Sequence, residues 1–180
     1  GEYAVIIKNG LVVLEDSVRQ TDVRIESGLI AELGDNLSDD DVIDAAGRYV
    51  LPGGIDVHTH FCLDVGIAVA QDDFFTGTVA AACGGTTTIV DHPGFGPAGC
   101  GLDHQIKLYH TLAQGNAVID YGFHGVMQHV DDDVLKMMET LADEGITSFK
   151  IYMTYGFMVS DEDIYHILRR AKELGVMIAV

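Results

Sequence analysis

Cysteine is scarce in this chain, and so is positive charge. The three cysteines, Cys62, Cys83 and Cys100, are odd in number, widely spaced and free of any C-x-x-C. That pattern argues against a disulfide framework or a structural zinc finger and fits reduced thiols in the cytoplasm. Ten Lys and Arg stand against 28 Asp and Glu, a formal net charge of −18. A surface that acidic repels phosphate backbones and anionic membranes, so neither nucleic acid nor a membrane surface is expected as a partner. Long apolar runs are missing too. No stretch approaches the ~18 residues a membrane helix needs, and no basic-then-apolar leader opens the chain. Gly1 rather than Met stands first, which is expected after processing or from a cloning scar.

What is present is enough for a core: 48% of the 180 residues are apolar. Two regimes divide the chain near residue 50. Before it, Tyr3–Lys8, Leu11–Leu14, Asp22–Glu26 and Leu29–Leu33 are short strand-like runs. Asn9-Gly10 and Ser27-Gly28 separate them as hairpin signals, so a small antiparallel β unit is expected over residues 1–50.

From residue 51 strands and helices alternate. Strands are expected at Ile55–His60, Thr86–His92, Val118–Val126, Ser148–Thr154 and from Val176. Helices are expected at Asp73–Ala82, Leu102–Ala113, Val134–Asp143 and Asp161–Leu174. Ser160 and Asp163 have the spacing of a capping box, and Gly84-Gly85, Gly145 and Gly175 sit where helices should stop. The short acidic runs Asp39-Asp40-Asp41 and Asp131-Asp132-Asp133 suit either a solvated loop or a helix start. Such βα alternation means a parallel sheet, either doubly wound or closed as a (β/α)8 barrel. Neither G-x-G-x-x-G nor G-x-x-x-x-G-K-[ST] opens a helix, which removes the best argument for nucleotide binding. A (β/α)8 barrel takes ~250 residues, whereas this chain stops in its fifth barrel strand. It therefore reads as the N-terminal portion of a longer polypeptide.

Two strands carry the chemistry. In Gly54-Ile55-Asp56-Val57-His58-Thr59-His60, strand alternation puts Asp56, His58 and His60 on one face. Two imidazoles ~7 Å apart at the C-terminal end of a strand can share a metal ion; the alternative is a pair of buried, hydrogen-bonded histidines. In Ser148-Phe149-Lys150-Ile151-Tyr152-Met153-Thr154, Lys150 is the lone charge of an apolar strand expected to be fully covered. A buried ammonium must be paired with a carboxylate, neutralised or chemically changed. A lysine deprotonated by desolvation can capture CO2 as a carbamate, whose two oxygens suit a pair of metal ions.

Three segments follow the strand ends: Cys62–Gln71 with Leu63, Val65 and Ile67, the glycine-rich Pro93–Gly101 with Phe95, and Tyr155–Val159 with Phe157 and Val159. With Tyr152, these residues form either a pocket for a hydrophobic substituent or ordinary loop packing. His92 and His124 are expected as core or supporting residues, and His104, His110, His129 and His166 at the surface. Cys62 lines the pocket at most.

Pro52–His60, Gly84-Gly85-Thr86-Thr87-Thr88 and Ser148–Tyr152, in this order, resemble the cyclic-amidase branch of the amidohydrolase superfamily. Within it the chain is most similar to D-hydantoinases and dihydropyrimidinases. Asp72–Thr78 and Gly94-Phe95-Gly96-Pro97 look most like bacterial D-phenylhydantoinases. The resemblance implies a (β/α)8 barrel, of which residues 51–180 are the first half, and a β-sandwich that includes the N-terminal segment. It implies two Zn2+ (or other divalent ions) per subunit, with His58 and His60 as ligands and Lys150 as a bridging N6-carboxylysine. Two further histidines and an aspartate would follow Val180. Tyr155 would stabilise the oxyanion. The implied substrate is a cyclic imide or diamide, such as a 5-substituted hydantoin or dihydropyrimidine, opened to an N-carbamoyl amino acid. The implied assembly is a homotetramer. A dihydroorotase- or allantoinase-like enzyme is the nearest rival, but no arginine lies in the three loops. A non-enzymatic dihydropyrimidinase-related scaffold is another, against which His58, His60 and Lys150 stand intact.

Overall fold

The computed structural model describes residues 4–180. Its chain separates into two compact units, Gly1–Pro52 and Gly53–Val180.

The first unit is one sheet. Strands β1 (Ala4–Val13), β2 (Val18–Glu26), β3 (Leu29–Gly34) and β4 (Val42–Asp44) lie in the order β3-β2-β1-β4, and β5 (Tyr49–Val50) also pairs with β1. The hairpin expected at Ser27-Gly28 joins β2 to β3, with both residues at positive φ, 50° and 79°. The turn expected at Asn9-Gly10 is absent. Asn9, at φ 56°, sits in a bulge inside the single strand β1, and the β1–β2 register shifts between Ile7 and Gly10. Locally a bulge and a turn carry the same residues; here the backbone N–H of Asn9 donates to the Asp22 carboxylate and holds the strand together. Nor is the unit purely antiparallel, because β4 and β5 both run parallel to β1. Tyr3, with which the first expected run begins, lies outside the described residues.

The second unit alternates as expected. Strand β6 (Gly54–Thr59) precedes α1 (Phe74–Cys83), β7 (Thr86–Asp91) precedes α2 (His104–Ala113), and β8 (Asp120–Phe123) leads directly to β9 (Gly125–Val126). Then come α3 (Asp132–Asp143), β10 (Ser148–Lys150), α4 (Asp161–Leu174) and β11 (Met177–Ala179). All strand pairs are parallel, in the orders β6-β7-β8 and β9-β10-β11. Neighbours in space are thus neighbours in sequence, with none of the reversal that defines a doubly wound sheet. The one strand expected over Val118–Val126 is two, parted at His124. The strand expected over Ser148–Thr154 ends at Lys150, beyond which Tyr155 turns the chain with φ 69°.

Three of the four helices begin where a side chain caps them; α2, which follows Asp103, has no such bond. Asp73 and Thr76 form a reciprocal capping box on α1, the Asp131 side chain accepts from Val134 N on α3, and Ser160 accepts from Asp163 N on α4. Asp132 and Asp133 fall in the first turn of α3, where the helix dipole favours them. Apolar stripes from these helices meet the strands in one core, with Phe74, Ile89, Met127, Met138, Leu141, Phe149 and Ile167 essentially without solvent contact. Each such side chain contributes about 1.5–3 kcal/mol. Gly125 is required by this packing: a Cβ there would lie 2.3 Å from the Phe149 ring. No helix among the described residues is long and apolar enough to cross a membrane.

Candidate functional site

The C-terminal ends of β6, β7, β8 and β10 bring together His58, His60, His92, His124 and Lys150. His58 and His60 leave the end of β6 with ring centroids 5.2 Å apart. The His92 ring, just past β7, lies 4.4 Å from His58 and 5.4 Å from His60 and stacks on His124 at 4.0 Å. The result is a cluster of four imidazoles, exposed at His58 and His60 and buried at His92 and His124.

Hydrogen bonds orient them. His60 Nδ1 lies 3.3 Å from the His92 carbonyl oxygen. A carbonyl only accepts, so Nδ1 carries the proton and Nε2 keeps a free lone pair. The backbone N–H of His58 donates to Asp56 Oδ1 at 3.0 Å. Buried Asp91 flanks His60 on both sides: its Oδ2 accepts from Thr59 Oγ1 at 2.7 Å and from Phe61 N at 2.9 Å. Among the described residues its Oδ1 has no hydrogen-bond partner, and neither has His92 Nδ1. Burial pushes the Asp91 carboxyl up to about 6, against the pull of its two donors. Burial also pushes His92 down to about 3, helped by the neighbouring basic groups His124, His58, His60 and Lys150, which disfavour a further positive charge there.

Lys150 closes β10. Its Nζ sits over the Tyr152 ring, 5.3 Å from the centroid, and no described carboxylate comes within ion-pair distance. The lysine is half-buried rather than fully covered, and the carboxylate-paired alternative finds no partner among the described residues. Its charge reaches both His92 and His124.

Beside this cluster opens a cavity of about 400 Å³, lined by His60, Leu63, Val65, Ile67, Pro93, Gly94, Phe95, Tyr152, Tyr155 and Phe157. Phe95 and Phe157 stack at 3.7 Å, and Tyr152 packs 5.0 Å from Phe95. The loop carrying Phe95 is tied down by Gln128, which accepts from Gly96 N and donates to the Gly96 and Pro97 carbonyls. Tyr155 is exposed at the rim and holds a positive φ, an uncommon and strained state for a bulky residue.

Five of the six pocket residues expected from sequence therefore line one cavity: Leu63, Val65, Phe95, Tyr152 and Phe157. Val159 does not. Its N–H bonds back to the Tyr152 carbonyl, and this return buries its side chain in the core. Cys62 packs against that core too and does not line the cavity. His92 and Asp91 are the residues that sequence position alone undervalues. The signal for them was their place at the end of β7, level with His60 at the end of β6.

Comparison with known proteins follows the same lines. The amidohydrolase family profile matches residues 49–180. D-phenylhydantoinase of Escherichia coli O9:H4 (strain HS) is 53% identical over 179 residues, 98% of this chain and 39% of the relative. A D-hydantoinase crystal structure superposes with a TM-score of 0.92 at 44% identity, covering 98% of this chain and 39% of that one. The dihydropyrimidinase of Brevibacillus agri NCHU1002 gives 0.91 at 44% identity, with the same coverage. The chain thus spans about two fifths of the length of the relatives it matches.

Proposed function

The chain belongs to the amidohydrolase family, and from that premise we propose that it carries part of the active site of a metal-dependent cyclic amidase. The reaction is hydrolytic opening of 5-substituted hydantoins or dihydropyrimidines to N-carbamoyl amino acids. The reading rests on the kinship to D-phenylhydantoinase and dihydropyrimidinase and on one observation. Two histidines at the end of β6, one with its Nε2 lone pair free, stand beside an apolar cavity together with Lys150 at the end of β10, which has no ion-pair partner among the described residues.

The residues fit a metal centre. A ligating imidazole has its other nitrogen bonded to a carbonyl or carboxylate, which is the arrangement at His60. Among the described residues no group of three or more His, Cys, Asp or Glu could hold a cation alone. Lys150 is the side chain in place to become a further donor beside His58 and His60. Deprotonation of its ammonium, then addition of CO2 to the neutral amine with loss of a second proton, would replace a cation by an anion with two oxygens. In this reading His58 and His60 would hold one Zn2+ and carboxylated Lys150 would be shared between it and a second, and the strands that carry them would belong to a (β/α)8 barrel. When bound, the metal ions supply the Lewis acidity and water activation that hydrolysis needs.

The chain's own groups do the rest. Tyr155, on the cavity rim with His60, donates its hydroxyl to the ring oxygen on which charge develops, a contribution of roughly 3–4 kcal/mol in comparable sites. Leu63, Val65, Phe95 and Phe157 receive the 5-substituent and exclude water from it. Water adds across the ring C–N bond: carbon keeps the oxygen as carboxylate and nitrogen takes a proton. Among the described residues no Lys or Arg lines the cavity, which disfavours the anionic rings of a dihydroorotase-like enzyme. Unpaired Cys62, Cys83 and Cys100 suit the cytoplasm, and a homotetramer is proposed on the family likeness alone.

Metal analysis of the purified protein, with assays on phenylhydantoin and dihydrouracil, tests the proposal. Bound zinc with ring opening is expected; neither zinc nor ring opening would refute it.

A further inference from the structure

His124 interrupts the third parallel strand of the second unit, between Phe123 at the end of β8 and Gly125 at the start of β9. The ring is buried at 8% exposure, and both its nitrogens are engaged. Nε2 lies 2.8 Å from the Val57 carbonyl oxygen and Nδ1 2.6 Å from Ser148 Oγ. Because the carbonyl only accepts, Nε2 donates; Nδ1 then accepts from the serine hydroxyl. One neutral tautomer satisfies both contacts, and no polar atom of the ring is left over.

The two anchor points are placed in a way that packing alone does not ask for. The Val57 carbonyl belongs to the peptide whose N–H is that of His58, and that N–H is itself held by Asp56 Oδ1. The peptide carrying His58 is thus gripped at both ends. Ser148 stands two residues before Lys150 in β10, on the same face of the strand. Strands β6 and β10 are not hydrogen-bonded neighbours. A single imidazole therefore ties the strand of His58 to the strand of Lys150. The stacked ring of His92, 4.0 Å from His124 and 4.4 Å from His58, fills the space between. A leucine would fill the same volume with nothing to satisfy.

We propose that His124 is a positioning residue that sets the separation of His58 and Lys150, and with it the affinity of the metal centre. The inference rests on the metal-site reading given above. His124 itself touches neither metal nor substrate.

The test uses zinc affinity of the purified, folded protein, measured by competition with a chromophoric chelator well below the melting temperature. His124→Leu keeps the volume and loses both hydrogen bonds; zinc affinity should fall about 10–100-fold, the usual effect of removing an outer partner of a metal ligand. His124→Gln supplies an amide N–H for Val57 and an amide oxygen for Ser148, and should recover most of that loss. A purely structural role would lower the melting temperature in both variants and leave zinc affinity unchanged; that result, or failure of glutamine to rescue, overturns the proposal. Should His124→Leu not fold, Ser148→Ala removes one bond alone. It should weaken zinc several-fold, and unchanged affinity would count equally against the idea. Wild-type protein that binds no zinc would instead refute the metal-site reading, separating that failure from this one.

Discussion

Replacing Asp91 by asparagine should change stability in a way that depends on pH, with a size that follows from its surroundings. The side chain has no solvent exposure; Oδ2 takes hydrogen bonds from Thr59 and Phe61 while Oδ1 takes none from the described residues. Burial raises the carboxyl from 3.8 to about 6. The folded protein therefore binds this proton more tightly than the unfolded chain does. The resulting stabilisation is fully present below about pH 4 and is lost as pH rises through about 6. The whole effect is about 3 kcal/mol at 1.36 kcal/mol per pK unit, and about half of it falls between pH 5 and pH 8. Asparagine keeps one oxygen for Thr59 and Phe61 and removes the charge. It also places an NH2 group without an acceptor where Oδ1 was, at a cost of about 1–3 kcal/mol. Asp91→Asn should thus be the less stable protein at pH 5 and should close on wild type, or pass it, by pH 8. Urea unfolding of both metal-free proteins across that range measures the difference. Other carboxylates titrate alike in the two and cancel. A stability difference that does not change with pH would refute the reasoning.

Three further substitutions probe the site and its frame. Lys150→Ala should abolish turnover and the second metal ion, with short carboxylic acids partly restoring the rate; full activity in the variant would remove the carbamate from the account. Tyr155→Phe should lower kcat by roughly 10²–10³ without changing zinc content, as loss of one oxyanion donor does, and unchanged turnover would exclude that role. Gly125→Ala forces a methyl against the Phe149 ring. Overpacking of this kind costs about 1–3 kcal/mol, which a thermal melt would register as a lower Tm, and an unaltered melt would show that the ring can move aside.

The strand–helix rhythm of the second unit was legible because each element carries its own period and its own stops. Asp73, Asp131 and Ser160 announce three helices, and Gly175, at φ 69°, ends the last. The first unit was less so. Val42–Asp44 and Tyr49–Val50 are too short to show a period and owe their strand state to β1 beside them. Asn9-Gly10 illustrates the same limit, since a bulge and a hairpin turn draw on the same residues. At the site, His58 and His60 could be read from alternation within one strand. His92 and Asp91 could not, because their place beside His60 depends on the register of β6 against β7. The break at His124 is likewise tertiary in origin: its partners, Val57 and Ser148, are 67 and 24 residues away in sequence. Val159 was misplaced for a related reason, the return of the chain after the Tyr155 turn.

Anomalous diffraction at the zinc edge from crystals of the purified protein tests the central claim most directly. The account predicts a peak within bonding distance of the side-chain nitrogens of His58 and His60, a second peak beside it, and carbamate density extending from Lys150 Nζ between the two. An unmodified Lys150 with no anomalous peak at these histidines, in zinc-replete and active protein, would contradict it.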